Sequence, residues 1–214
     1  MDPLSLFRIE RELVSTKRIS IHNNLPQLKT GDVILVQTKK DIGRAIFRKV
    51  TKSYWNHTAM VLYPKGFLGA EKNLYIESIH GRIVVHTIDY LLNRSDKYDV
   101  GIKRIPDLSE ETHRRIIAYA LMSVDVKTTR HRFIGTKFVL GLILPSIKKW
   151  LLGGSYRSST SFVQTTLSAA VDWKDRARVS FGERLISPIE SDTLLTPKEI
   201  AESQKCEWIY NKRN

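Results

Sequence analysis

Tyr54-Trp55-Asn56-His57-Thr58-Ala59-Met60-Val61 sets a histidine at the mouth of an apolar run. The residues on either side decide what that run is. Thr58 to Tyr63 suits a pleated, half-buried surface and reads as a strand. Upstream, Lys29-Thr30-Gly31-Asp32 is a turn feeding a strand over Val33 to Val36. Downstream, Pro64-Lys65-Gly66 and a loop lead into a strand over Leu74 to Ile79, and after Gly81 an extended pattern resumes from Ile83 to His86. Thr87 to Leu92 resembles a short helix, and Tyr98 to Ile105 is another strand, ended by Pro106.

Helical periodicity brackets these strands. Ile42, Ala45, Ile46 and Val50 recur at helical spacing across Asp41 to Thr51, with Arg44, Arg48, Lys49 and Lys52 making the other face basic. Asp107 and Glu110 have the spacing of a capping box. They open a helix whose apolar stripe is Ile116, Ile117, Ala120, Leu121 and Val124. After Gly153-Gly154, the small and apolar residues of Tyr156 to Val171 suggest a buried helix. Thr196-Pro197 is a helix start, threonine as cap and proline in the first turn. Lys205 to Tyr210 closes the chain as a strand. Strands clustered between helices indicate an α+β fold. Leu4, Phe7, Leu13 and Val14, interspersed with charge, make residues 1–24 a helical extension to one domain over 25–214.

A chain of 214 residues with 42% apolar content can bury a substantial core. Its 35 basic and 22 acidic residues leave +13, an attraction to something anionic such as a membrane surface, nucleic acid or an acidic polymer. Nucleic acid is disfavoured, because no recognised basic-aromatic motif accompanies the charge. The single cysteine, Cys206, excludes an internal disulfide framework and a multi-cysteine zinc site. Its place in a terminal strand marks a buried, inert thiol. His22, His80, His86, His113 and His131 lack metal-ligand spacing, so neither metal nor cofactor is expected. The N-terminus has no secretion-signal core. Phe133 to Leu152 is apolar but interrupted by Lys137, Pro145, Lys148 and Lys149, too short to span a bilayer. It reads either as a buried helix followed by an amphipathic one, or as an interfacial lid with Trp150 and its neighbours in lipid. A cytoplasmic or peripherally membrane-associated protein is the expectation.

Three segments carry chemistry when taken together. They are the run around His57; Leu74-Tyr75-Ile76-Glu77-Ser78 with its continuation Gly81 to Val85; and Ser158-Ser159-Thr160-Ser161-Phe162-Val163-Gln164 at a helix start. Taken singly, each has an ordinary structural reading: a surface histidine, a solvated strand acid, a helix-capping serine. Their order resembles the permuted branch of the NlpC-type papain-like superfamily, the YiiX type. That group has a Gly-Asp strand, a histidine-bearing strand, a strand carrying glutamate, and a later Cys-Ser-x-Phe/Leu-Val-Gln helix. Gly31-Asp32-Val33, His57, Glu77 and Ser159 to Gln164 occupy those places, and Leu195 to Ile200 resembles the closing segment.

The resemblance implies an antiparallel sheet or small barrel packed against helices. It also implies a thiol-type hydrolase acting on amide, peptide or amino-acid-containing substrates, with His57 as base and Glu77 orienting it. Ser159 departs from the pattern by standing where the family has cysteine. Either a cysteine was replaced to silence the site or the chain naturally lacks the thiol; the intact remainder favours the first, and the sequence as it stands is expected to be nearly inactive. Acyl transfer or lipid-acyl hydrolysis on the same fold, and a non-catalytic binding module, remain the competing functions.

Overall fold

The computed structural model describes residues 25–39, 52–79, 82–124, 159–181 and 195–212. The helices expected over residues 1–24 and Asp41 to Thr51, Gly81, the Phe133 to Leu152 segment, Gly153-Gly154 and the start of the Tyr156 helix lie outside them, as do His22, His80 and His131. The described elements are β1 (Val33–Thr38), β2 (His57–Tyr63), β3 (Leu74–Ile79), β4 (Arg82–Thr87), α1 (Asp89–Leu92), β5 (Tyr98–Arg104), α2 (Glu110–Met122), α3 (Ser159–Ala170), α4 (Arg176–Val179), α5 (Pro197–Glu202) and β6 (Glu207–Lys212). The strands form one open antiparallel sheet in the order β4-β3-β2-β1-β5-β6. The fold is thus α+β, with a sheet and not a closed barrel.

Alternation along each strand gives the sheet two apolar faces. Val33, Leu35, Met60, Leu62 and Ile76 meet Ile116 of α2 and Phe162, Val163 and Leu167 of α3. Ile34, Val36, Ala59, Val61, Tyr75, Val100 and Ile102 face the other way, onto Leu28, Ile88, Leu91 and Leu92. The central strands are covered on both sides, which is why their apolar runs read as nearly continuous.

Two details differ from the sequence reading. Asp107 is not the cap of α2: its φ of 55° places it in the left-handed region, before the helix. Ser109 caps instead, its extended backbone letting the side chain accept a hydrogen bond from the Thr112 N–H. In the stripe of α2, Ile116 and Ala120 are buried while Leu121 is 42% exposed, because α3 covers only one side of the helix. The start of α5 agrees with its sequence signal: Thr196 and Glu199 form a reciprocal capping box ahead of Pro197.

Lys103 of β5 is buried and aims its ammonium at the open end of α5. There Nζ donates to the carbonyls of Ile200, Ala201 and Ser203 at 3.1, 2.9 and 2.8 Å. A cation at a helix C-terminus satisfies carbonyls that have no partner within the helix. Beside it, Gly101 lets two indoles close over the sheet: a Cβ there would lie 2.7 Å from Trp208 and 2.8 Å from Trp55. Gly101→Ala is therefore expected to destabilise the fold by about 1–3 kcal/mol through overpacking. Thermal melting checks this, and an unchanged midpoint would contradict the packing described.

Candidate active site

Strand register brings the histidine and the glutamate together. Ala59 of β2 pairs with Glu77 of β3, and His57, two residues before Ala59, projects from the same face. The loop between Pro64 and Asn73 left this register undetermined in the sequence. His57 Nε2 and Glu77 Oε2 are 2.6 Å apart, with the side chains only 13% and 5% exposed. The second oxygen, Oε1, accepts from the Tyr75 hydroxyl at 3.3 Å and lies 3.7 Å from His86 Nε2.

Burial by itself pushes the Glu77 carboxyl upward. The hydrogen bond and charge of His57, helped by His86 and Tyr75, outweigh it and hold the group below its ordinary value of 4.5. Glu77 is accordingly an anion at neutral pH. With Nε2 committed to Glu77, Nδ1 is the ring nitrogen left to serve a reacting group.

Ser159 is the first residue of α3, whose opening turn has no acidic side chain to offset the positive potential of the helix N-terminus. Its Oγ accepts a hydrogen bond from the backbone N–H of Thr58 at 3.3 Å, and Thr58 Oγ1 donates to Thr160 Oγ1 at 3.3 Å. The helix start is therefore fastened to the residue following His57, across about a hundred residues of chain. However, α3 packs on the face of the sheet opposite to the His57 and Glu77 side chains. Ser159 reaches the backbone of Thr58, the residue after His57, and among the described contacts its hydroxyl bonds there and not to the ring.

The other residues singled out in the sequence have structural surroundings. Gln164 is buried, donates to Ser168 Oγ and the Val179 carbonyl, and accepts from Phe181 N–H. It ties α3 to the segment after α4. Cys206 is buried just before the edge strand β6, well away in the sheet order from β2, and burial pushes its thiol up. Gly31, at φ 88°, makes the turn into β1, and the Asp32 carboxylate is held by Arg104. Tyr75 joins the site without a motif of its own; its i, i+2 relation to Glu77 on one strand is the signal the sequence offers.

Among the described residues no group of three or more His, Cys, Asp or Glu side chains could hold a metal ion. Among them, too, no helix is long and apolar enough to cross a membrane.

Residues 27–127 match the model of a family described as permuted papain-like amidase enzyme, YaeF/YiiX, C92 family. The match spans β1 to α2 and so includes His57 and Glu77, and it ends before Ser159. Among solved structures, the crystal structure of metalloprotein yiiX from Escherichia coli O157:H7 (DUF1105) is similar. It is 16% identical, with 87% of this chain and 99% of that chain covered, at a TM-score of 0.49. No curated protein matches the chain.

Proposed function

We propose that this chain, whose residues 27–127 match the permuted papain-like amidase family, has the apparatus of an amide-bond hydrolase built on His57, Glu77 and position 159, with serine at 159 leaving it nearly inactive. The observation that carries this reading is the short, buried contact between His57 Nε2 and Glu77 Oε2. A buried anion that takes one ring nitrogen fixes the tautomer and stabilises the imidazolium, leaving Nδ1 to exchange protons with a nucleophile and a leaving group.

In the proposed cycle, a thiolate at 159 attacks the substrate carbonyl carbon. Backbone N–H groups at the start of α3 stabilise the developing oxyanion. The C–N bond then breaks, and the imidazolium of His57 gives its proton to the departing amine. Water attacks the resulting thioester, passing a proton to His57, and the carboxylic acid leaves as the thiolate re-forms. A thiol with an ordinary pKa near 8.5 can be brought to neutral pH by a helix N-terminus and an adjacent imidazolium. A serine hydroxyl ionises far less readily, so the same surroundings do not suffice for it.

The substrate class that follows is an amide, such as a peptide or an amino-acid conjugate. The net charge of +13 would favour an acidic substrate or an anionic membrane surface. Acyl transfer to an acceptor other than water would use the same acyl-enzyme, and the segment that suggested it, Phe133 to Leu152, lies outside the described residues.

The test is labelling of Ser159→Cys with a thiol-directed acyl electrophile. Labelling confined to position 159, and faster near neutral pH than for a free thiol of ordinary pKa, is expected. Cys206 is an internal control, since a buried thiol stays unmodified while the protein is folded. A folded Ser159→Cys variant that labels no faster than an unactivated thiol would defeat the proposal.

A further inference from the structure

Glu77 has two oxygens, and only Oε2 meets His57. The terminal torsion of a glutamate is broad and roughly two-fold, so nothing in the side chain itself keeps one oxygen turned to the ring. What holds the other oxygen therefore matters to the pair.

Oε1 has two neighbours on the same face of the sheet. Tyr75, two residues earlier on β3, is fully buried and donates its hydroxyl to Oε1 at 3.3 Å. His86 of β4, cross-strand partner of Tyr75, brings Nε2 to 3.7 Å and is 38% exposed. Its ring stacks on Tyr90 at 5.1 Å and lies 5.8 Å from Tyr75, while Tyr98 of β5 continues the aromatic row beyond Tyr90. Among the described residues, His57, His86 and Tyr75 are the titratable groups that act on Glu77, with Tyr90 and Tyr98 behind His86.

We infer that Tyr75 is a positioning residue: its buried hydroxyl anchors Oε1 so that Oε2 stays directed at His57. This rests on the catalytic reading of His57 and Glu77. Tyr75 suits the part better than His86 does. Burial, then the charge of Glu77, pushes the ionisation of its phenol far above the ordinary range, so it remains a donor at every physiological pH. His86 is partly in solvent, and its Nε2, 3.7 Å from Oε1, stands beyond hydrogen-bonding distance.

Tyr75→Phe keeps the ring and removes only the donor. Carboxyl 13C NMR titration of Glu77 in the chain with Ser159 in place is expected to show its pKa raised by about one pH unit, because a hydrogen bond to an ionised group is lost. In the Ser159→Cys background the same substitution is expected to lower kcat about tenfold with KM little changed. An unmoved Glu77 titration together with unchanged kcat, in a variant that melts as the parent does, overturns the inference even where His57→Ala abolishes activity. A raised Glu77 titration in an enzyme indifferent to His57→Ala would leave the anchor in place and refute the catalytic reading instead. Should Tyr75→Phe fail to fold, His86→Phe decides: with Tyr75 as the main anchor it should move the Glu77 titration by less than about half a pH unit, and a larger movement assigns the role to His86.

Discussion

In the Ser159→Cys background, His57→Ala is expected to lower kcat/KM for an amide substrate by about 10²- to 10⁴-fold, the contribution usual for a positioned general acid–base. The reason is local. His57 is the imidazole brought into hydrogen-bonding contact with a buried carboxylate, and its Nδ1 is the nitrogen not engaged by Glu77. Without the ring, the thiol loses both its proton acceptor and the cation that favours its ionisation. Glu77→Gln should cost less, since the ring survives but loses the anion that stabilises its protonated form. The pH dependence follows from the carboxyl. Its folded-state pKa is depressed below 4.5 by His57 against the opposing effect of burial. The stabilisation from the pair is thus complete above the ordinary carboxylate value and is lost as pH falls through the lower, folded value. Activity lost through Glu77 should therefore appear only under acid conditions below pH 4.5. Steady-state kinetics across pH, with the His57→Ala variant shown by its melting curve to be folded, measures this. A rate indifferent to His57→Ala would remove His57 from the chemistry.

The second large effect falls on stability. Arg104→Met is expected to destabilise the protein by about 3 kcal/mol, near the lower end of the cost of breaking a buried ion pair. Arg104 donates Nε to Asp32 Oδ1 at 2.8 Å and Nη2 to Oδ2 at 2.6 Å, a bidentate grip on a carboxylate that is itself 2% exposed. Burial pushes Asp32 up, and Arg104 with the Lys29 N–H recovers part of that cost by stabilising the anion. Removing the guanidinium leaves the charge nearly alone in the interior. The lower end of the range applies because the Arg104 side chain keeps 20% exposure and solvent screens it in part. As pH falls and Asp32 takes up a proton, the deficit should shrink, since a neutral carboxyl no longer requires the cation. Asp32→Asn combined with Arg104→Met should recover part of the loss, and chemical denaturation of the single and double variants separates these effects. The turn held by this pair begins β1 at the opposite end from the β1 residue that pairs with His57, Val36. Lost stability with retained kcat is thus the expected combination.

Much of the frame was readable from residue patterns because short-range rules govern it. The apolar opening of Leu74–Ile79, the apolar run after His57, and the threonine, proline and glutamate of the α5 cap each act within a few residues. The capping of α2 misled because Asp107 and Ser109 are both acceptable caps by type, and the left-handed backbone at Asp107 excludes it. Leu121 fits the stripe by spacing, yet faces outward because the area that α3 covers on α2 is narrower than the periodicity suggests.

The candidate site divides along the same line. The sequence by itself determined which side chains could do the chemistry: an imidazole at a strand mouth, a carboxylate in the next strand, and a hydroxyl at a helix start. Tertiary structure alone decided that Ala59 stands opposite Glu77, that Tyr75 lies behind the carboxylate, and that the helix bearing Ser159 approaches from the other face. Register is a property of two strands packed on both faces, and sliding one by a single residue would send Glu77 to the far side of the sheet. No local preference along the chain encodes that choice; the burial of both faces makes it.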